Sequence, residues 1–380
     1  MNQRDIIDHS IKWLLFSDIR VKEGKDQGAL YGWKDLTDSS LPFIYSEIVG
    51  YAITCYSWIY REKENKLALD AAEEGYQWIR NNLNNNLLPA GKINENNYFV
   101  LKGDLQNQIY SFDNGMIIAG LLNLHKINQN SEILNLALIM ADELIDKFWK
   151  EDRMVALLDA SFNQTDYGKG KWSTISGPYH TKIVFGLIKL FKATGNTRYR
   201  DISCLLCDFG LKMQDKDGHF ITNEDKDLTF LHPHLYSCEG LLYSGIELME
   251  NKYFEASLRG LEWTIKLMEA NNGLLPRSTK ENVEQSDCIA QLLRLLIICK
   301  SNLDKMKNLQ VEKIIENLKN ALARLYVQNG KQMGGVKYQK SFDQVCTWCT
   351  MFSLQALNFY YNDKSRDDNP LAMDLMEYYI

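Results

Sequence analysis

The sequence predicts an all-α fold: a closed six-hairpin (α/α)6 toroid, one domain over residues 1–380, with strand limited to short rim hairpins. Three observations lead there. Six apolar, small-residue-rich segments each open on polar or aromatic residues, near Tyr45, Asp113, His180, Tyr236, Asp287 and Cys346, and they recur about every 50 to 70 residues. Amphipathic segments of a different kind alternate with them. The connections between the two kinds are long on one side only. Units of this size suit helical hairpins stacked in an array.

Taken in order, a first single-stripe helix is expected at about Asp5–Phe16. Leu67, Ala71, Gly75, Trp78 and Ile79 then share one face of a second, with Lys66, Asp70, Glu73 and Glu74 elsewhere. Ser131–Phe148, Arg198–Met213 and Phe254–Met268 read similarly. So does the run Val311, Ile314, Ile315, Leu318, Leu322 and Leu325. One apolar stripe marks a helix packed on one side. The six repeat segments, such as Met116–Leu122 and Ile183–Ile188, are apolar nearly all round and are expected to be buried on both sides. Six of each kind make a double ring. The long connections, 84–111, 151–178, 214–231, 271–284 and 330–343, then share the rim where the inner helices begin. Long loops in a compact domain are usually functional.

Composition narrows the function. The 380 residues carry a net charge of -6 with no long basic run, which argues against a nucleic-acid partner. No run of 18 apolar residues occurs, so no membrane span is expected. The N-terminus does not read as a signal peptide, and eight cysteines sit in apolar segments. A reducing, cytoplasmic setting is expected. Two Cys-x-x-Cys pairs, Cys204/Cys207 and Cys346/Cys349, are read as core thiols in two helices, with no metal and no cofactor. No Gly-rich phosphate loop, serine elbow or dinucleotide fingerprint is present.

The residues capable of chemistry cluster where the repeats begin. Six inner-helix N-termini converging on one mouth would suit an anionic group. Glu47, Asp113 and Asp287 each read alone as helix caps, but together they mark a site. His180 follows Gly177-Pro178-Tyr179. The densest polar cluster is His232-Pro233-His234-Leu235-Tyr236-Ser237-Cys238-Glu239. It lacks a third metal ligand at a standard spacing, so proton transfer and hydrogen bonding are the better reading. Asp113, His180, His234 and Glu239 are the catalytic candidates. Tyr45, Glu47, Tyr51, Tyr179, Tyr236, Arg277, Asp287 and Trp348 are the substrate-binding candidates, the aromatics stacking on sugar faces. The expected pocket wall comprises Glu47, Asp113, His180, His234, Glu239 and Asp287.

This layout resembles the six-hairpin glycosidase superfamily and its relatives among sugar epimerases and polysaccharide lyases. Phe112-Asp113-Asn114-Gly115-Met116 resembles the Asp-bearing helix start of unsaturated glucuronyl hydrolases, which implies a general acid/base role for Asp113. The Trp-Arg-Gly-Asn-Gly-Trp-like motif of those hydrolases has no counterpart here. Tyr45-Ser46-Glu47-Ile48-Val49-Gly50-Tyr51 and Phe112–Gly115 also resemble helix starts of uncharacterised toroid proteins associated with surface-polysaccharide biosynthesis. The leading expectation is a glycoside hydrolase acting on short uronate-containing saccharides. The alternatives are a sugar epimerase or polysaccharide lyase, and a non-catalytic glycan-binding or assembly protein. The expected partner is an oligosaccharide or polysaccharide; assembly into a homo-oligomer stays open.

Overall fold

The structure, a computed structural model, describes residues 3–93, 105–165, 171–303, 310–363 and 376–380. Parts of the expected long connections 84–111 and 151–178 lie outside the described residues. Among the described residues there are twelve helices: α1 (Gln3–Phe16), α2 (Ser46–Lys63), α3 (Lys66–Asn81), α4 (Ser111–Asn128), α5 (Ser131–Phe148), α6 (Val184–Thr194), α7 (Thr197–Lys212), α8 (Leu231–Glu247), α9 (Asn251–Ala270), α10 (Ser286–Leu303), α11 (Val311–Ala323) and α12 (Thr347–Asp363). The even-numbered helices form the inner ring. Each packs on its inner neighbours, and α12 meets α2 to close it. The odd-numbered helices form the outer ring, with α1 against α12. The expected six-hairpin toroid is present. No helix among the described residues is long and apolar enough to cross a membrane.

The two rings start their helices differently. Three outer helices are capped by asparagines: the side chains of Asn65, Asn130 and Asn196 accept from the N–H groups of Ala68, Glu132 and Arg198 at the starts of α3, α5 and α7. Inner helices α2, α4 and α8 follow Tyr45, Tyr110 and Phe230 and have no side-chain cap. The third inner unit opens on a short 3-10 turn, Pro178–Ile183, that runs into α6.

Short strands bind the rim, but most do not form local hairpins as expected. Phe43–Tyr45 pairs antiparallel with Gly91–Ile93, and Gln108–Tyr110 with Leu157–Asp159, so each pair ties successive connections together. Trp33–Asp35 pairs with Gln344–Cys346, joining the first connection to the last. Among the described residues, only Trp149–Lys150 with Arg153–Met154, and Val336–Lys337 with Gln344–Cys346, connect directly in sequence. Cys346 therefore ends a strand, and only Cys349 of that pair lies in a helix, α12. All eight cysteines are free thiols.

Glycine sets the spacing of the inner ring. A Cβ on Gly120 would lie 2.5 Å from the Gly50 carbonyl oxygen where α4 crosses α2. A Cβ on Gly240 of α8 would lie 2.3 Å from the Thr181 carbonyl oxygen and 2.5 Å from the Lys182 nitrogen. That second contact brings Lys182 beside Glu239. Packed backbone cannot yield as a flexible side chain can. Gly240→Ala is therefore expected to cost about 1–3 kcal/mol or more by chemical denaturation. A loss below about 0.5 kcal/mol would show that the ring relaxes freely.

Candidate functional site

A cavity of about 240 Å³ opens at the N-terminal ends of the inner helices. Its wall carries Glu47 and Tyr51 from α2, Asp113 and Phe112 from α4, His232 and Tyr236 from α8, Asp287 from α10 and Trp348 from α12. Tyr45 and Tyr179 also line it. The structure thus brings together eight of the expected site residues: Tyr45, Glu47, Tyr51, Asp113, Tyr179, Tyr236, Asp287 and Trp348.

Four expected residues lie elsewhere. His180 is buried behind the wall, its Nδ1 accepting from the Gly177 N–H at 3.3 Å and its Nε2 3.1 Å from the Ser111 hydroxyl. His234 points away from the axis toward α9, its Nε2 3.2 Å from the Gly260 carbonyl and 3.0 Å from the Thr264 hydroxyl. Burial pushes both imidazoles down to about 3, so both are neutral. Glu239 lies beneath the cavity, and Arg277 is exposed in an ion pair with Glu281 at 2.8 Å. The expected wall therefore loses His180, His234 and Glu239.

Helical periodicity accounts for the histidine swap. His232, Tyr236 and Glu239 stand at i, i+4 and i+7 and share one face, whereas His234 lies two residues round the helix. His232 Nδ1 sits 2.7 Å from Gln291 Oε1, and Gln291 donates its Nε2 hydrogen to Glu239 Oε1 at 3.3 Å. The Gln291 oxygen thus faces Nδ1, which carries the proton and leaves the lone pair on Nε2. Burial lowers the His232 pKa, against the opposing charge of Asp287, so the ring is neutral. The aromatic wall holds further residues outside the candidate set: Trp33, Phe43, Tyr110, Trp172 and Tyr338. These come from the rim connections and from strands too short for periodicity to reveal.

The acids differ in their surroundings. Asp113 is 3% exposed, and its Oδ2 is buried without a hydrogen-bond partner. Burial first, and then the charge of Glu47, hold its carboxyl well above the usual range. Burial also raises Glu47, against the Tyr51 hydroxyl and the Lys182 charge, which favour its ionised form. Asp287 Oδ1 accepts from the Cys288 N–H at 2.8 Å, and its Oδ2 accepts from Trp348 Nε1 at 3.3 Å. His232, Asp287 and Cys288 offer ligand atoms within 4.8 Å of one another. Their hydrogen bonds already engage His232 Nδ1 and both Asp287 oxygens, and burial keeps the Cys288 sulfur a thiol. This set fits a hydrogen-bonded wall better than a metal seat.

Beneath the cavity lies a charge cluster that no motif announced. Glu239 pairs with Lys182 at 2.8 Å and with Arg294 at 3.3 Å, and all three are at most 1% exposed. The Lys182 ammonium stands 4.3 Å from the centre of the Tyr236 ring, and the Tyr51 and Tyr236 hydroxyls meet at 2.8 Å. Residues 376–380 fill the space on the far side. The Tyr379 hydroxyl donates to Glu239 Oε1 at 2.9 Å, and the Ile380 carbonyl accepts from Lys182 at 3.1 Å and from Arg294 at 2.9 Å. Arg294 and Ile380 N–H both donate to Gln355 Oε1. The cavity thus has a closed floor. Removing one member of such a cluster strands the rest. Glu239→Gln is expected to cost about 3–5 kcal/mol by denaturant unfolding at neutral pH; a cost under about 1 kcal/mol would mean that water reaches the cluster.

Structural comparison finds the same architecture in solved proteins. A sugar epimerase from a ruminal bacterium matches with a TM-score of 0.76 at 14% identity, covering 97% of this chain and all of that one. The cellobiose 2-epimerase of Bacillus thermoamylovorans B4167 matches at 0.73 and 12%, over 93% of this chain and 99% of that one. An unsaturated glucuronyl hydrolase specific for heparin matches at 0.69 and 11%, over 96% and 98%. No protein-family model matches the sequence, and no curated protein matches it significantly. The chain is an (α/α)6 toroid, and what it shares with these sugar-acting enzymes is that fold, end to end.

Proposed function

We propose that the protein is a glycoside hydrolase that removes residues from the end of a short saccharide, with Asp113 as general acid and Glu47 as its basic partner. The observation that supports this reading is the placement of two buried carboxyls, both raised by burial, on one aromatic, dead-ended cavity. Two neighbouring carboxyls that hold one proton between them divide the acid and base roles. Protonated Asp113, whose Oδ2 has no partner, is suited to give its proton to the glycosidic oxygen as the C–O bond breaks. Ionised Glu47 is suited to take a proton from the water that adds to the sugar carbon.

The lining also bears on the substrate. Among the described lining residues there is no Lys or Arg, whereas Glu47, Asp113 and Asp287 are all present. The positive helix starts already face the protein's own acids. A uronate would bring a further negative charge with no cation among the described lining residues to meet it. The proposal therefore moves from the expected uronate to a neutral sugar, stacked on the tyrosine and tryptophan faces. A second reading rests on His232. Neutral, with its Nε2 lone pair left over, it has the makings of a base for an epimerase or isomerase.

The test uses purified protein and short neutral and uronate-ended saccharides, with product analysis in deuterated water. New reducing ends from neutral saccharides are expected. Deuterium incorporated into an intact sugar would favour the His232 reading instead, and binding without turnover would leave a glycan-binding protein. Asp113→Asn is expected to lower turnover ~100- to 10,000-fold without unfolding. A raised folded-state pKa means that wild-type stability falls as pH rises above the ordinary carboxyl value. The variant escapes that loss, so its melting temperature should gain on the wild type between acid and neutral pH. Normal turnover by Asp113→Asn would end this assignment.

A further inference from the structure

The mouth opposite the aromatic cavity holds a second one, of about 410 Å³, between the C-terminal parts of α4 and α6. Three lysines line it: Lys126 of α4, and Lys189 and Lys192 of α6. Lys126 pairs with the Glu377 carboxylate and Lys192 with Glu247 of α8. Glu377 is held also by Arg61 of α2 at 2.8 Å. Both lining carboxylates are therefore already engaged.

Lys189 is different. Its ammonium donates to the Asn123 side-chain oxygen and to the Glu377 main-chain carbonyl at 2.8 Å, both neutral acceptors. Among the described residues it has no carboxylate partner. It is half-buried, faces two like charges and borders open space. Burial first, then Lys126 and Lys192, push its pKa down to about 7. An under-compensated cation in such a place is destabilised until an anion joins it. Lysines at helix C-termini commonly answer the helix dipole, and Lys126 and Lys192 suit that role. Lys189 lies a turn deeper, with Asn123 and Gln129 beside the cavity as further hydrogen-bonding groups.

We propose that this cavity is a binding site for a small tetrahedral dianion, the phosphate group of a phosphorylated metabolite, with Lys189 as its central ligand. Lys126, Lys192 and Asn123 would supply the remaining donors. Nothing in this site takes part in the proposed hydrolysis, so the two readings stand or fall separately.

The probes are sulfate, whose charge stays fixed across the pH range, and inorganic phosphate. Calorimetry on the full chain should detect one site at acid-to-neutral pH. Bound anion favours the charged lysine, so binding should take up protons. Sulfate affinity should fall about tenfold or more as pH rises from one unit below to one and a half units above neutral. The groups facing Lys189 are Lys126 and His125 on α4, Lys192 on α6, Glu247 on α8 and Glu377. Lys189 is expected to set that slope, so His125→Gln serves as the control that keeps it. Lys189→Met keeps the stem, removes the charge and should weaken sulfate about tenfold or more. Lys192→Gln, at a more exposed position, should weaken it by a smaller factor. Lys266→Met, in an exposed pair on α9, should bind as wild type. Chloride at matched ionic strength should give no saturable heat. Equal effects of chloride and sulfate, or unchanged binding by both Lys189→Met and Lys192→Gln, would overturn the proposal.

Discussion

The toroid is organised around one buried carboxylate. Glu239 lies on the inner face of α8, clamped by Lys182 on one side and Arg294 on the other, with the Tyr379 hydroxyl as a third donor. Ions so far from water persist only when fully paired and hydrogen-bonded. The pairing therefore fixes the relative placement of the Pro178–Ile183 turn, α8 and α10, and the inner face of residues 376–380. Gly240 is part of the same device, because its missing side chain lets the Lys182 backbone approach. The cluster also gives the aromatic cavity its floor. Lys182 holds its charge under the Tyr51 and Tyr236 rings, and burial lowers its pKa to about 8 against the pull of Glu239.

Above that floor the inner-helix starts explain the chemistry of the wall. Three outer helices, α3, α5 and α7, satisfy first-turn N–H groups with asparagine side chains. Inner helices α2 and α4 begin directly from rim strands, and their first N–H groups, like those of α8, have no side-chain cap at the mouth. Their partial positive charge is met by Glu47, Asp113 and Asp287, one acid near each of three helix starts. Dipole and desolvation then pull against each other. Burial prevails for both, with the Tyr45 hydroxyl favouring ionised Asp113, and the Tyr51 hydroxyl and Lys182 favouring ionised Glu47. Both side chains are lifted above the ordinary carboxyl range by position alone.

The ring architecture was legible because two helical patterns alternate with a regular step. Half-apolar and all-apolar segments can only be packed as layers. The acids at the mouth were legible because they open those segments. The choice of histidine was recoverable from the i, i+4, i+7 relation of His232, Tyr236 and Glu239, but the richness of the local cluster drew attention to His234. Lys182 and Arg294 carried a signal too: a charge inside an all-apolar helix, as in Leu292-Leu293-Arg294-Leu295-Leu296, needs a buried partner. That argument was open for Glu239 as well, and would have placed it in an ion cluster beneath the wall. Trp33, Trp172 and Tyr338 were not legible, because rim connections have no period to place them. The seat of residues 376–380 was likewise invisible, since nothing local distinguishes Tyr378-Tyr379-Ile380 from a surface segment.

The central claim is that Asp113 and Glu47 share one negative charge at neutral pH, with the proton on Asp113. Carbon-13 labelling of the carboxyl side chains, followed by NMR titration from acid to alkaline pH, reads this directly. The account predicts that the Asp113 carboxyl keeps its protonated chemical shift through neutral pH and that Glu47 ionises before it. In Glu47→Gln the Asp113 titration should move down, because a repelling charge is gone. An Asp113 carboxyl that ionises near the ordinary value of 3.8, and ignores Glu47→Gln, would contradict it.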